Sequence, residues 1–402
     1  MAFGIRSGSI LRALGCLTAA GAFFLGSGMA AHAAGCGTPV EPGYHDVSID
    51  VGGIQRSGVV FVPDTYTGRD KVSVVFDLHG SNSNPRGQML RSSWDKVAGK
   101  NGFIVFAPQG SLSGNMPNTH AWNVPGVTFR EGGLDEVAFI KAAVEKVKQS
   151  YCVDPAQIFA SGYSGGGRML SAYLCSGAND FAGAGFVNSL RVGLPVENRE
   201  GKWTPDPSTC QPAKPISIMA FAGVKDEQNP YAGGGKPYWQ YSFKTALQRW
   251  MELDGCKANA KPETIDGVTY SLFDTCQNGA RIATYEFENG SHDWPKPNAK
   301  ANVIAAASEG QAAGVVKVSA VKKPSFDPNV DPAYRMWDFF RKADNTDVVA
   351  TVQPSAAKAK VQAVDCGAGE ISAYDNAEGM TCNNSQPNDQ PRRSGLGAKG
   401  AL

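Results

Sequence analysis

The chain has 402 residues, a formal net charge of +1, and 42% hydrophobic against 19% charged residues. That apolar content can fill a core, which excludes wholesale disorder, and a near-zero charge excludes nucleic acid as the main partner. The one long uncharged apolar stretch is N-terminal, so a multi-spanning membrane protein is excluded as well.

Arg6 and Arg12 precede an uncharged stretch from Ala13 to Ala31 that contains Phe23, Phe24 and Leu25, followed by Ala31-His32-Ala33. A basic start, a short apolar centre and a small-residue cleavage site predict a secretory signal over residues 1–33. The competing membrane anchor wants about 20 strongly apolar residues, and this stretch is rich in Gly and Ala. A lipidated Cys36 is a weaker alternative, because Ala33 stands where a Leu is usual. The expected destination is the periplasm or the cell exterior, with no stable membrane insertion after cleavage.

Loss of Cys16 leaves Cys36, Cys152, Cys175, Cys210, Cys256, Cys276, Cys366 and Cys382. An even set in an exported chain predicts a disulfide framework, with Cys256–Cys276 and Cys366–Cys382 the local pairs to test first. No C-x-x-C pair occurs, so a zinc ribbon or thioredoxin-like centre has no support.

Short apolar runs follow at Val72 to Leu78, Phe103 to Ala107, Ile158 to Ala160, Ile216 to Phe221 and Ile282 to Phe287, with a weaker one at Gly183 to Val187. Helical patterns alternate with them at Leu134 to Val153, Tyr241 to Leu253 and Tyr334 to Lys342. In the first, Asp135 is the expected N-cap, and Val137, Phe139, Ile140, Ala143, Val144 and Val147 form an apolar stripe. Buried runs alternating with helices predict an α/β fold, a mostly parallel sheet with helices on both faces. After residue 344 Ala, Lys, Gly, Asn and Pro dominate, so 34–344 is expected to be one catalytic domain. Residues 345–402 form a low-complexity tail, pinned at most by Cys366 and Cys382.

The sharpest local signal is Gly162-Tyr163-Ser164-Gly165-Gly166, set between the run at Ile158 and a helical pattern through Met169, Leu170, Tyr173 and Leu174. A serine on a strained strand-to-helix turn needs tiny neighbours, and the helix start behind it favours developing negative charge. Its partners should follow in the order carboxylate, then histidine, each on a loop after a strand. Asp226 follows the run ending at Phe221, and His292 follows the run ending at Phe287. Of the other histidines, His45 and His120 have surface readings and His79 reads as structural. Glu227 and Asp293 are neighbouring carboxylates that compete with Asp226. Leu78-His79-Gly80-Ser81 occupies the place of a second oxyanion donor, making the backbone N–H groups of Gly165 and Ser81 the expected pair.

At these residues the chain resembles secreted esterases of the poly(3-hydroxybutyrate) depolymerase and feruloyl esterase superfamily. The carriers are Leu78-His79-Gly80, the segment Gly133-Leu134-Asp135-Glu136-Val137-Ala138-Phe139-Ile140, Cys152-Val153-Asp154-Pro155 leading to Ser164, then Asp226 and His292. The resemblance spans roughly Val59 to Trp294 and implies an α/β-hydrolase fold. It also implies Ser164 as nucleophile, Asp226 as orienting acid, His292 as base, and no metal or cofactor. Gly165 departs from the larger residue of many relatives, and the tail lacks the aromatic-rich module of many extracellular polyester depolymerases.

Trp122, Tyr163 and Trp294 are the candidate substrate walls, with Tyr231, Tyr238 and Trp239 behind them; ordinary loop packing is the competing reading of each. The Asn289-Gly290-Ser291 and Asn383-Asn384-Ser385 sequons read as chance matches. The leading expectation is a serine carboxylester hydrolase acting on a small-molecule or polymer-linked ester, feruloyl or hydroxyalkanoate. A serine peptidase of the same fold and a non-catalytic polysaccharide-binding protein on a hydrolase scaffold are the alternatives.

Overall fold

A computed structural model describes residues 35–124, 128–257, 260–297 and 326–341. The expected signal segment, Cys366, Cys382 and the tail lie outside these residues. The chain divides between Thr346 and Asp347, and every described residue belongs to the first unit.

Fourteen strands are described: β1 (Gly43–Val51), β2 (Ile54–Val62), β3 (Val72–Leu78), β4 (Ile104–Pro108), β5 (Leu112–Ser113), β6 (His120–Ala121), β7 (Val153–Tyr163), β8 (Gly183–Val187), β9 (Pro195–Glu197), β10 (Trp203–Pro205), β11 (Ser217–Gly223), β12 (Glu263–Ile265), β13 (Val268–Phe273) and β14 (Ile282–Phe287). Ten of them form one sheet in the order β1-β2-β4-β3-β7-β8-β11-β14-β13-β12. Strands β4, β3, β7, β8, β11 and β14 run parallel. An antiparallel hairpin closes each edge: β1–β2 beside β4, and β12–β13 beside β14.

Alternation along β3 sorts the two cores. Val74, Phe76 and Leu78 face one, with side chains of α3 (Glu136–Ser150), α4 (Gly165–Cys175) and α5 (Phe243–Leu253). Val75 faces the other, with side chains of α1 (Pro85–Ser92), α2 (Trp94–Asn101) and α6 (Pro332–Arg341). Successive strand side chains point to opposite faces, so a strand covered on both sides reads as a continuous apolar run. Asp135 caps α3 by accepting from Ala138 N at 3.0 Å, two residues inside the start of the expected helix.

The edge hairpins were not among the expected strands. Along β1 exposed and half-buried residues alternate, so no apolar run forms there. Strand β7 also extends well before Ile158, through half-buried Asp154 and Gln157 and exposed Pro155 and Ala156, which form no apolar run.

Disulfides join Cys36 to Cys152, Cys175 to Cys210 and Cys256 to Cys276. The last is the local pair expected from spacing. The first two span 116 and 35 residues, and spacing does not reveal such pairings.

Glu136, at the start of α3, is buried and bonded to Arg56 Nη2 at 2.5 Å. It also accepts from Ser111 N and Oγ and from Asn123 N, at 2.7 to 3.1 Å. The Arg56 guanidinium lies 3.9 Å over the Phe139 ring. One carboxylate thus fixes a strand, a helix and the two loops that flank His79. Removing one member of a buried pair strands the other, so Glu136→Ala is expected to cost about 3–5 kcal/mol in denaturant-induced unfolding.

Asp77 on β3 is fully buried and accepts from Gln88 Nε2, Ser92 Oγ and Ser161 Oγ at 2.6 to 3.0 Å. Burial outweighs these donors and pushes its carboxyl up to about 6 from 3.8. The unfolded chain therefore releases this proton at lower pH than the folded chain. Its stabilising contribution is complete below pH 3.8 and is lost as pH rises through about 6. Asp77→Asn is expected to gain melting temperature relative to wild type across that window, with a constant difference above it.

Candidate active site

Ser164 links β7 to α4 with φ 50° and ψ −114°, a conformation that costs a non-glycine residue about 1–3 kcal/mol. Two backbone bonds hold it there: Ser164 N donates to Val187 O, and Arg168 N donates to Ser164 O, both at 3.1 Å. The turn also packs directly on the end of β3. A Cβ at Gly166 would overlap the Leu78 carbonyl, so only glycine fits that position.

The structure brings Ser164, Asp226 and His292 together. Ser164 Oγ lies 2.8 Å from His292 Nε2, and His292 Nδ1 lies 2.7 Å from Asp226 Oδ2. The three side chains come from loops after β7, β11 and β14, and they are 9%, 5% and 9% exposed. Asp226 Oδ1 accepts from Gln228 N and Asn229 N at 2.9 and 2.8 Å, leaving Oδ2 for the imidazole. An ionised carboxylate only accepts, so Nδ1 carries the proton and Nε2 accepts from the Ser164 hydroxyl. Glu227 and Asp293, the competing carboxylates, are both exposed. His45 and His120 stand apart, on the Glu41 carbonyl and opposite Ser83.

His79 is buried, and burial pulls its imidazole down to about 4. Its Nε2 accepts from Gly110 N at 3.0 Å, and Nδ1 donates to Gly80 O at 2.7 Å. The ring braces the loop that presents Ser81. Ser81 in turn lies against Gly165, the first residue of α4, whose N–H has no partner inside the helix.

The three expected aromatic walls are packed, not open. Trp122, Tyr163 and Trp294 are 1%, 8% and 5% exposed. Trp122 Nε1 donates to His79 O at 2.7 Å, and its ring lies beside the His79 ring. Tyr163 OH donates to the His292 carbonyl at 2.6 Å, and burial raises its pKa, which keeps that donor protonated. Trp294 meets Tyr163 edge-on at 6.0 Å. Each ring has its polar edge or its face committed to the loops that carry His79 and His292. Tyr231 and Tyr238 are half-buried, and the Tyr238 ring lies over the Arg168 guanidinium at 4.7 Å.

Sequence reasoning missed Asn188, which follows β8. Its Nδ2 donates to Asp293 O at 2.8 Å and Ser291 O at 3.3 Å, while its Oδ1 accepts from Gly223 N at 3.0 Å. Its own carbonyl accepts from Asn229 Nδ2 at 2.6 Å. One residue therefore ties the Asp226 loop to the His292 loop. Its place directly after a strand, like that of Ser164, was the available signal. Since a misplacement of about 1 Å costs about 10²-fold in rate, Asn188→Ala is expected to slow fluorophosphonate labelling of Ser164 by about 10- to 100-fold.

Among the described residues no helix is long and apolar enough to cross a membrane, and no His/Cys/Asp/Glu cluster could hold a metal ion.

No family model matches the chain. It is 26% identical over 244 residues to feruloyl esterase B of Piromyces equi, covering 59% of this chain and 42% of that protein. It is 26% identical over 245 residues to feruloyl esterase C of Emericella nidulans, covering 59% of this chain and 76% of the relative. An acetyl xylan esterase from Aspergillus awamori superposes with a TM-score of 0.44 at 16% identity, over 65% of this chain and 97% of that one. The chain thus spans less than half the length of the Piromyces relative. A parallel sheet in the order β4-β3-β7-β8-β11-β14, with a strained serine turn after β7, is the α/β-hydrolase arrangement. By strand order and serine turn the chain has the α/β-hydrolase fold, and by sequence it is similar to esterases.

Proposed function

We propose that the chain is an exported serine carboxylester hydrolase that cleaves feruloyl-type esters through an acyl-enzyme on Ser164. The observation that carries this reading is the continuous line from Asp226 through His292 to Ser164, at 2.7 and 2.8 Å.

Ser164 Oγ adds to the ester carbonyl while His292 Nε2 takes its proton, and Asp226 stabilises the imidazolium. The carbonyl oxygen becomes an oxyanion facing the N–H groups of Ser81 and Gly165. Collapse of the intermediate expels the alcohol, which leaves with the proton from Nε2. Water then repeats the sequence against the acyl-enzyme, releases the acid and restores Ser164.

The names of the sequence relatives support a feruloyl ester over a hydroxyalkanoate one. Three disulfides fit an oxidising destination outside the cytosol.

Purified protein is expected to hydrolyse methyl ferulate faster than hydroxybutyrate oligomers. Ser164→Ala should lose about 10⁴-fold or more of that rate while keeping its melting temperature. Retained turnover in the variant would overturn the mechanism, and a preference for the oligomers would overturn the substrate class.

A further inference from the structure

Arg168 lies one helical turn after the nucleophile and is 7% exposed. Its Nη2 donates to Ser81 Oγ at 3.2 Å. Among the described residues no carboxylate pairs with it, and its Nε has no hydrogen-bond partner. The guanidinium is instead covered by Tyr238 and Trp239, 4.7 and 5.9 Å from their ring centroids. A buried cation without a counter-charge is costly, and packing alone would be served better by an apolar side chain of similar volume.

The cation borders the place where negative charge would develop. A Cβ at Gly165 would lie 2.5 Å from Ser81 Oγ, 2.9 Å from Ser81 N and 3.3 Å from Arg168 Nη2. Glycine at 165 is what allows these groups to close around one small space. A guanidinium only donates, so the Ser81 oxygen accepts from it and must direct its own O–H elsewhere.

We propose that the Ser81 hydroxyl is a third oxyanion donor, beside the backbone N–H groups of Ser81 and Gly165, and that Arg168 is the positioning residue that aims it. The inference rests on the serine-hydrolase reading. When Ser164 Oγ adds to the carbonyl, the π electron pair moves onto the carbonyl oxygen, which then accepts three hydrogen bonds. No proton leaves Ser81, and its hydroxyl is unchanged when the alcohol departs. The counter-charge that Arg168 lacks in the free protein is the oxyanion, reached through one hydroxyl. A donor that strengthens with the developing charge acts on kcat more than on KM.

The test compares Ser81→Ala, Arg168→Met, Arg168→Lys and the Ser81→Ala/Arg168→Met double variant in the full chain. Steady-state hydrolysis of p-nitrophenyl acetate is measured together with inhibition by phenylboronic acid, whose tetrahedral adduct carries the same negative charge. Each of the two disruptive single changes is expected to lower kcat by about tenfold or more with KM within about twofold. The boronate inhibition constant should weaken in step with kcat, and Arg168→Lys should recover part of the loss. The double variant should be no worse than the poorer single one, because both changes remove the same donor. Losses that multiply in the double variant, or a wild-type kcat in Ser81→Ala, overturn the proposal while the Ser164 reading stands. If Arg168→Met does not fold, Ser81→Ala, which removes a single oxygen atom, decides alone. Wild-type protein that hydrolyses no ester overturns both readings together.

Discussion

Asn188 divides one side-chain amide between two loops that are 35 and 103 residues away in sequence. The strands β7, β8, β11 and β14 are neighbours in the sheet, and the chain leaves each of them at the same end. Parallel strands make that convergence unavoidable, but they do not fix where each loop goes next. The amide does so: its oxygen holds the start of the Asp226 loop and its nitrogen holds both neighbours of His292. Both partners of Ser164 are thereby referred to a single residue just after β8, the strand between β7 and β11, which sets their separation without using their own side chains.

The strain at Ser164 is held in a similar way, by backbone atoms and close packing. The Val187 carbonyl and the end of β3 confine the turn from two sides. Farther out, Glu136 anchors the loops beside His79, and His79 braces the loop that carries Ser81. A chain of buried polar contacts therefore runs from α3 to the loop that carries Ser81. The buried carboxylate of Glu136 meets a cation and three further donors, while Nη1 of its partner Arg56 has no hydrogen-bond partner among the described residues.

Much of the parallel centre was legible because strands covered on both faces leave unbroken apolar runs, as Val72 to Leu78 and Ile282 to Phe287 do. Ser164, Asp226 and His292 were legible through chain order and their places after strands. The edge hairpins were not, since a half-exposed strand such as β1 alternates too weakly to stand out. The aromatic candidates were not decided by composition. Composition marks a tryptophan near a site, but only tertiary packing decides whether its face is open, and Trp122 is closed by His79. Asn188 and the Arg168–Ser81 bond joined residues from distant segments and carried no local pattern. The same holds for Cys36–Cys152 and Cys175–Cys210.

The two hairpins have a consequence beyond the site. Parallel strands with unpaired backbone edges would offer a template for pairing with other copies, which is the beginning of aggregation. Here β1 presents Asp46 and Asp50 along one outer edge, and the other ends in a three-residue strand, β12. Short or charged borders of this kind discourage sheet-to-sheet growth. The six parallel strands, the most self-adhesive part of the sheet, are thereby sealed in its middle.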